Sequence, residues 1–253
     1  MKRIILTLIL IFIPIMVISS TGDGYPLDKV DTDHTDKASL QRGLKYYQNY
    51  CSGCHSTGFQ RYERVADDLG IPHDLMMNNL VFTKDTKIGD LMTNNMNPKD
   101  AKKWFGIAPP DLTLVARVRG EDWLYTFLRT FYEDPTRPWG VNNKVFPDVA
   151  MPYVLMDLQG VQIDTCEGID DSNEKDPLTG EKLCGLKVDS ERKGSMTPTE
   201  FDQAIYDLVN FLSYSAEPMK MERQRLGVYV LLFLLVFFVF AYFLKREYWK
   251  DIH

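Results

Sequence analysis

Cys51-Ser52-Gly53-Cys54-His55 is the stretch on which the interpretation of this chain turns. Two thiols three positions apart, followed at once by an imidazole, form the attachment pattern of a c-type haem. On one helical turn each thiol reaches a vinyl group of the porphyrin to form a thioether, and His55 is carried under the ring as the fifth iron ligand. Two other uses of C-x-x-C compete with this one. A redox dithiol wants a surrounding βαβ pattern, which the flanking residues lack, and a zinc site wants two further nearby ligands from a chain with only four cysteines. The motif therefore predicts one covalently bound haem c, and with it an electron carrier.

Upstream, Leu40, Leu44, Tyr47 and Cys51 recur at helical spacing, so a helix should deliver the cysteines at its C-terminal end. Before it, Tyr25 to Ala38 is polar and rich in Asp and Thr, which predicts an extended arm. After it, Ser56 to Pro110 is uneven. Short helices are expected around Tyr62 to Leu69 and Asp74 to Asn79, between turns such as Asn94-Asn95-Met96-Asn97-Pro98, as in a long loop-rich insertion. Trp123, Phe127 and Phe131 share one face of a helix predicted from Glu121 to Tyr132, a face suited to packing over the haem or against the first helix. Pro135 to Pro152 reads as loop. Thr197, Pro198 and Glu200 form a capping box that opens a final amphipathic helix with Phe201, Ala204, Ile205, Leu208 and Leu212 on one stripe.

The two ends differ from this middle. Lys2 and Arg3 followed by an apolar run from Ile4 to Ile18 read as a secretory leader over residues 1–20; an uncleaved anchor is the alternative, and Pro14 and the run's shortness weigh against it. Leu226 to Leu244 is 19 residues without a charge, about 28 Å of helix, and so predicts a membrane span with an anchor and short tail over 221–253. Basic residues balance on its two flanks, so orientation follows from the leader and the haem motif. Both place the domain of residues 21–220 in the periplasm and the tail in the cytoplasm. That domain carries 22 basic and 32 acidic residues, a net charge of −10. Its sign favours a basic protein partner over nucleic acid, with ordinary solubility as an equal alternative reading of the charge.

With export expected and two cysteines assigned to haem, Cys166 and Cys184 remain for a disulfide. The sixth iron ligand is less constrained. His34 lies in the arm, His73 in a turn and His253 beyond the span, so a methionine is favoured, and Met/His ligation suits a carrier of raised potential. Met76, Met77, Met92, Met96, Met151, Met156 and Met196 all qualify by position. Met151 is preferred because Pro147 and Pro152 stiffen its loop.

Several blocks resemble the cytochrome c1 family, the membrane-anchored haem subunits of quinol:cytochrome c oxidoreductases (bc1 complexes). They are Cys51 to Ser56, Ala108-Pro109-Pro110-Asp111-Leu112, Ala116-Arg117, Gly120-Glu121-Asp122-Trp123, Ala150-Met151-Pro152, and Ala216-Glu217-Pro218 before the anchor. The resemblance implies a mainly α, class I cytochrome c-like domain with long loop insertions and a single C-terminal transmembrane helix. It implies His55 and Met151 as axial ligands, Arg117 near a haem propionate, Pro109 and Pro110 at the haem edge, and Trp123 at a position usually held by another aromatic. It further implies electron transfer from a Rieske iron-sulfur protein to a cytochrome c, association with cytochrome b, a homodimer of the whole complex, and no bond chemistry in this subunit. A membrane-tethered monohaem carrier feeding a terminal oxidase or another reductase shares the leader, motif and anchor, but the Pro109-Pro110 and Arg117-to-Trp123 blocks argue against it. A haem peroxidase would need an open iron position, which methionine ligation denies.

Overall fold

Leu40 and Leu44 are buried on α1 (Lys37–Tyr46), which begins where the Asp36 carboxylate accepts the Ser39 N–H at 3.0 Å. The computed structural model describes residues 25–166 and 184–250. The expected leader, the acidic stretch between Cys166 and Cys184 and the final residue His253 lie outside them. The architecture is mainly α-helical with loop insertions and one apolar C-terminal helix.

The helix α1 runs into a π-helical turn, Tyr47–Cys51, and the predicted stripe is realised, with Leu40, Leu44, Tyr47 and Cys51 all buried. Against it lies α8 (Pro198–Ala216), opened by the expected capping box, in which the Thr197 hydroxyl accepts the Glu200 N–H and Glu200 Oε2 accepts the Thr197 N–H. The two helices cross at Gly43. A Cβ there would stand 2.0 Å from the Asp207 carbonyl oxygen, so only glycine allows this approach. Asp207, 1% exposed, receives the Arg42 guanidinium as a fork, Nε at 2.6 Å and Nη2 at 3.0 Å, and the Gln203 amide at 3.1 Å.

Between these helices the chain lays down α2 (Tyr62–Leu69), α3 (His73–Asn79), α4 (Pro98–Phe105), α5 (Val115–Arg119), α6 (Glu121–Arg129) and α7 (Met156–Gln159). Three antiparallel strand pairs accompany them: β1 (Thr57–Arg61) with β2 (Leu91–Met92), β3 (Phe131–Glu133) with β4 (Val141–Asn143), and β5 (Gly160–Asp164) with β6 (Leu186–Lys193). Two expectations are corrected here. The segment around Asn94 to Pro98 ends in a helix, α4, because the Asn97 side chain accepts the Lys99 N–H, Pro98 opens the first turn and Gly106 closes the last at φ +80°. The helix expected to reach Tyr132 stops at Arg129. There the buried amides of Asn143 and Gln162 donate to the carbonyls of Phe127, Arg129 and Phe131 at 2.7 to 2.8 Å, and the chain turns into β3. α6 packs chiefly on α8 and α5.

The polar arm is extended as expected and strapped down. Asp28 and Val30 donate backbone N–H groups to Thr126 and Asp122 of α6, and the Asn210 amide of α8 donates to the Asp33 carbonyl. Cys166 and Cys184 are bonded to one another at the loop end of the β5–β6 hairpin, beyond the Asp164–Leu186 pair. With the two cysteines 18 positions apart, loop entropy assigns this bond about 3 kcal/mol.

The final helix, α9 (Lys220–Tyr248), is 29 residues long, has a mean hydropathy of 2.7 in its most apolar window and buries none of that window inside the molecule. It is long and apolar enough to cross a bilayer once. Glu217 to Met219 is all that separates it from α8.

Candidate haem site

The C-x-x-C-H segment leaves the π-helical turn as a tight loop, with the N–H groups of Cys54 and His55 both donating to the Cys51 carbonyl at 3.1 and 2.8 Å. The buried Tyr47 hydroxyl donates to the His55 carbonyl at 2.8 Å and fixes the loop's far end to the core. Both thiols and the imidazole thereby face one apolar cleft. Tyr50 closes the near wall, and Phe105, Ile107, Pro109 and Pro110 form one side. Ala150, Met151, Pro152 and Val154 form the other.

His55 is oriented for ligation. Its Nδ1 lies 2.7 Å from the Pro110 carbonyl, an acceptor only, so Nδ1 carries the proton and Nε2 is left with its lone pair. Burial holds the ring below the usual histidine pKa, which keeps it neutral at pH 7. The thiols behave differently from those of a redox pair. Burial pushes Cys51 up to about 12 and Cys54 above its ordinary value, whereas dithiol oxidoreductases depend on a lowered thiol pKa. Among the described residues no group of three or more His, Cys, Asp or Glu is placed to hold a metal ion, as a zinc reading would need.

Of the sequence-predicted residues, Cys51, Cys54, His55, Pro110 and Met151 meet in this cleft. Among the seven candidate methionines only Met151 lines it. Met76 and Met92 are in the core, and Met156 is exposed on α7. Arg117 and Trp123 are not among the lining residues. Arg117 is exposed on α5, near enough to Glu217 to help Arg223 hold that carboxyl below its usual range. Trp123 stands one column of rings away: it stacks on Phe127 at 4.8 Å, Phe127 meets Phe131 edge-on at 5.1 Å, and Phe131 stacks on Tyr153 at 4.7 Å, two residues past Met151. Sequence reasoning places Tyr50 at the haem edge but missed Phe105 and Ile107 as parts of the wall. The Asn97-Pro98 cap and the Gly106 stop were the available signal for these two.

An apolar slot with two unbridged thiols at one edge and a tautomer-fixed imidazole below them fits the donor set of a c-type haem. Residues 28–175 and 190–252 match the sequence model of the Cytochrome C1 family. The chain belongs to the cytochrome c1 family. It is 48% identical to the cytochrome c1 of Allochromatium vinosum over the full length of both chains. It is 42% identical, again over both full lengths, to a protein of Nitrosomonas europaea named ammonia monooxygenase gamma subunit. The mitochondrial cytochrome c1 heme protein of Schizosaccharomyces pombe is 27% identical over 86% of this chain and 68% of its own. Cytochrome c1 membership fits an electron-transfer role within a bc1-type complex and a c-type haem at the cleft.

Proposed function

We propose that the chain is the cytochrome c1 subunit of a bc1 complex, passing electrons from a Rieske iron-sulfur protein to a cytochrome c. When bound, haem supplies a one-electron iron centre. Cys51 and Cys54 would hold it through thioethers, His55 Nε2 and Met151 Sδ would ligate the iron, and Pro110 would both flank the group and fix the His55 tautomer. The apolar walls from Phe105 to Pro110 and from Ala150 to Val154 exclude water, which favours the less charged, reduced state and raises the potential together with a thioether ligand. In this reading residues 1–20 are a signal peptide, residues 21–220 lie in the periplasm, and α9 anchors the protein with its short tail in the cytoplasm. Its acidic balance would favour a basic cytochrome c, and the assembly would be a dimer of the whole complex.

The observation that carries the proposal is the convergence of Cys51, Cys54, His55 and Met151 on one apolar cleft, in a chain that carries a single membrane-spanning candidate among its described residues. The test is gentle detergent solubilisation followed by affinity purification of this chain. A cytochrome b and a Rieske protein should co-elute with a c-type haem band of this chain's mass. Elution with neither would shift the assignment to a tethered monohaem carrier, and elution with a monooxygenase would favour the role carried by the name of the Nitrosomonas relative.

A further inference from the structure

The cleft and its ligands leave one exposed surface unexplained, on α5 and β1. Phe59 and Val118 are each 76% exposed and Leu114 is 48% exposed. Leu114 and Val118 are one helical turn apart, and the Phe59 N–H donates to the hydroxyl of Thr113, the residue before Leu114. The three therefore form one patch. Arg61 is exposed on the same outward side of β1 as Phe59, and Arg117 lies a turn on from Leu114, so two arginines flank the patch on a domain whose net charge is negative, with one carboxylate, Asp111, held beside it by the Gly58 and Thr113 N–H groups.

One contact and one electrostatic effect place this patch near the root of α9. The Arg117 charge helps hold the carboxyl of Glu217, the last residue but two before the helix, below its usual range. Arg64, in the first turn of α2 directly after β1, reaches the Met219 sulfur at 3.1 Å. The root itself is held stiffly. Arg223 pairs with Glu217 at 2.6 Å and Lys220 with Glu121 at 4.0 Å, so the domain is mounted on the helix and not strung from it.

Depth follows from the sequence. Lys220 is six residues before Leu226, where the uncharged run begins, a rise of about 9 Å along the axis. The polar layer on each side of a bilayer is about 5–8 Å thick. The surface around the root thus starts within a side chain's length of the headgroups. Apolar side chains with arginines beside them are the composition that sits at the boundary between headgroups and acyl chains, the cations meeting phosphate and the rings and methyl groups going deeper.

We propose that the Phe59–Leu114–Val118 face docks on the outer surface of the bilayer, using anionic phospholipid headgroups as its ligand and fixing the tilt of the domain on α9. The inference rests on α9 crossing the bilayer and not on the identity of the electron partners.

The four native cysteines are committed to thioethers or to the disulfide under the reading above, so an added cysteine is the one free thiol of this chain for a nitroxide label, with the complex lacking the added cysteine as the labelling blank. Val118→Cys and Phe59→Cys, in the intact complex reconstituted into phosphatidylethanolamine bilayers with phosphatidylglycerol, would be compared with Lys99→Cys on α4 and Val236→Cys within α9. The expected result is a collision ratio for oxygen over a water-soluble nickel chelate that is severalfold higher at 59 and 118 than at 99, and that falls when phosphatidylglycerol is omitted. A ratio equal to that at 99 would mean the face is in water and would overturn the proposal. Low accessibility to both reagents would mean another polypeptide covers it, and would overturn the proposal equally. A water-like ratio at 236 would remove the span itself and the proposal with it, leaving the haem assignment standing.

Discussion

Cys51 and His55 follow directly from a helix locked against its partner at Gly43, whereas the two side walls of the cleft, Ile107 to Pro110 and Ala150 to Val154, are irregular backbone. The first region obtains its position from interlocked volume: a glycine under a carbonyl, a buried carboxylate gripped by a guanidinium, and a stripe of Leu, Tyr and Phe. The second obtains its position from chain stiffness, with Pro109, Pro110 and Pro152 restricting the backbone and Phe131 stacking on Tyr153 beneath it. Strong ligation by imidazole is thus placed on the rigid side and weak ligation by thioether on the side that can adjust. It follows that stability and ligation are separable, and substitutions in the two regions should fail in different ways.

Gly43→Val should cost the most. Two methyl groups added where even a Cβ would meet backbone at 2.0 Å must push α1 and α8 apart, at a cost of about 3 kcal/mol or more. Guanidinium unfolding followed by far-ultraviolet circular dichroism would report it, and membranes should contain little haem-bearing protein. A loss below 1 kcal/mol would show that the helix pair is not the rigid side. Arg42→Ala comes next, at about 2 kcal/mol. Arg42 is itself half exposed, but its removal leaves the carboxylate of Asp207 buried with only the Gln203 amide. In both variants any surviving folded protein should keep its native reduction potential, since neither residue touches the cleft.

Met151→Ala should do the reverse. The side chain is only partly buried at the edge of the core, so the fold should lose about 1 kcal/mol, while thioether attachment, which depends on the other region, stays intact. The potential should fall by on the order of 0.1 V, within the roughly 0.8 V range that axial ligands span. An unchanged potential would mean that another side chain occupies the sixth position.

The same contrast explains what could be read from the sequence. The stripe on α1, the C-x-x-C-H loop and the Thr197 capping box are each specified by residues within a few positions of one another, and each stands where the sequence placed it. The disulfide was readable by subtraction, once two of four cysteines had been assigned to the motif. The end of α6 was not readable, because the groups that draw its last carbonyls away, Asn143 and Gln162, come from 16 or more residues downstream. The short strands escaped for the same reason, since Leu91–Met92 becomes a strand only by meeting β1. For the cleft, the motif residues and Met151 were legible, whereas the wall of Phe105 and Ile107 needed α4 to be recognised first. Arg117 is exposed on α5 and outside the residues that line the cleft, so its place near a haem propionate rests on the resemblance alone.

A smaller effect is expected at a point between the two regions, where the arm is tied to α8. The Ser213 hydroxyl gives its hydrogen to Glu121, which leaves its oxygen to accept from His34 Nε2 at 2.8 Å. Burial first, and then the nearby Lys220 ammonium, hold the His34 pKa below its ordinary 6.5, against the opposing pull of Glu121, Glu217 and Asp33. The unfolded chain therefore takes up this proton before the folded one does. The stability that His34 contributes is complete above pH 6.5 and is lost as pH falls through that value toward the lower folded pKa. One such group can tilt the unfolding free energy by at most about 1.4 kcal/mol per pH unit. Between about pH 8 and pH 5, unfolding free energies of the native chain should fall more steeply below 6.5 than those of His34→Gln, which keeps a donor for Ser213 but cannot titrate. Parallel profiles would show that the arm's attachment is indifferent to this proton, and that the helix pair carries its stability without help from the strap.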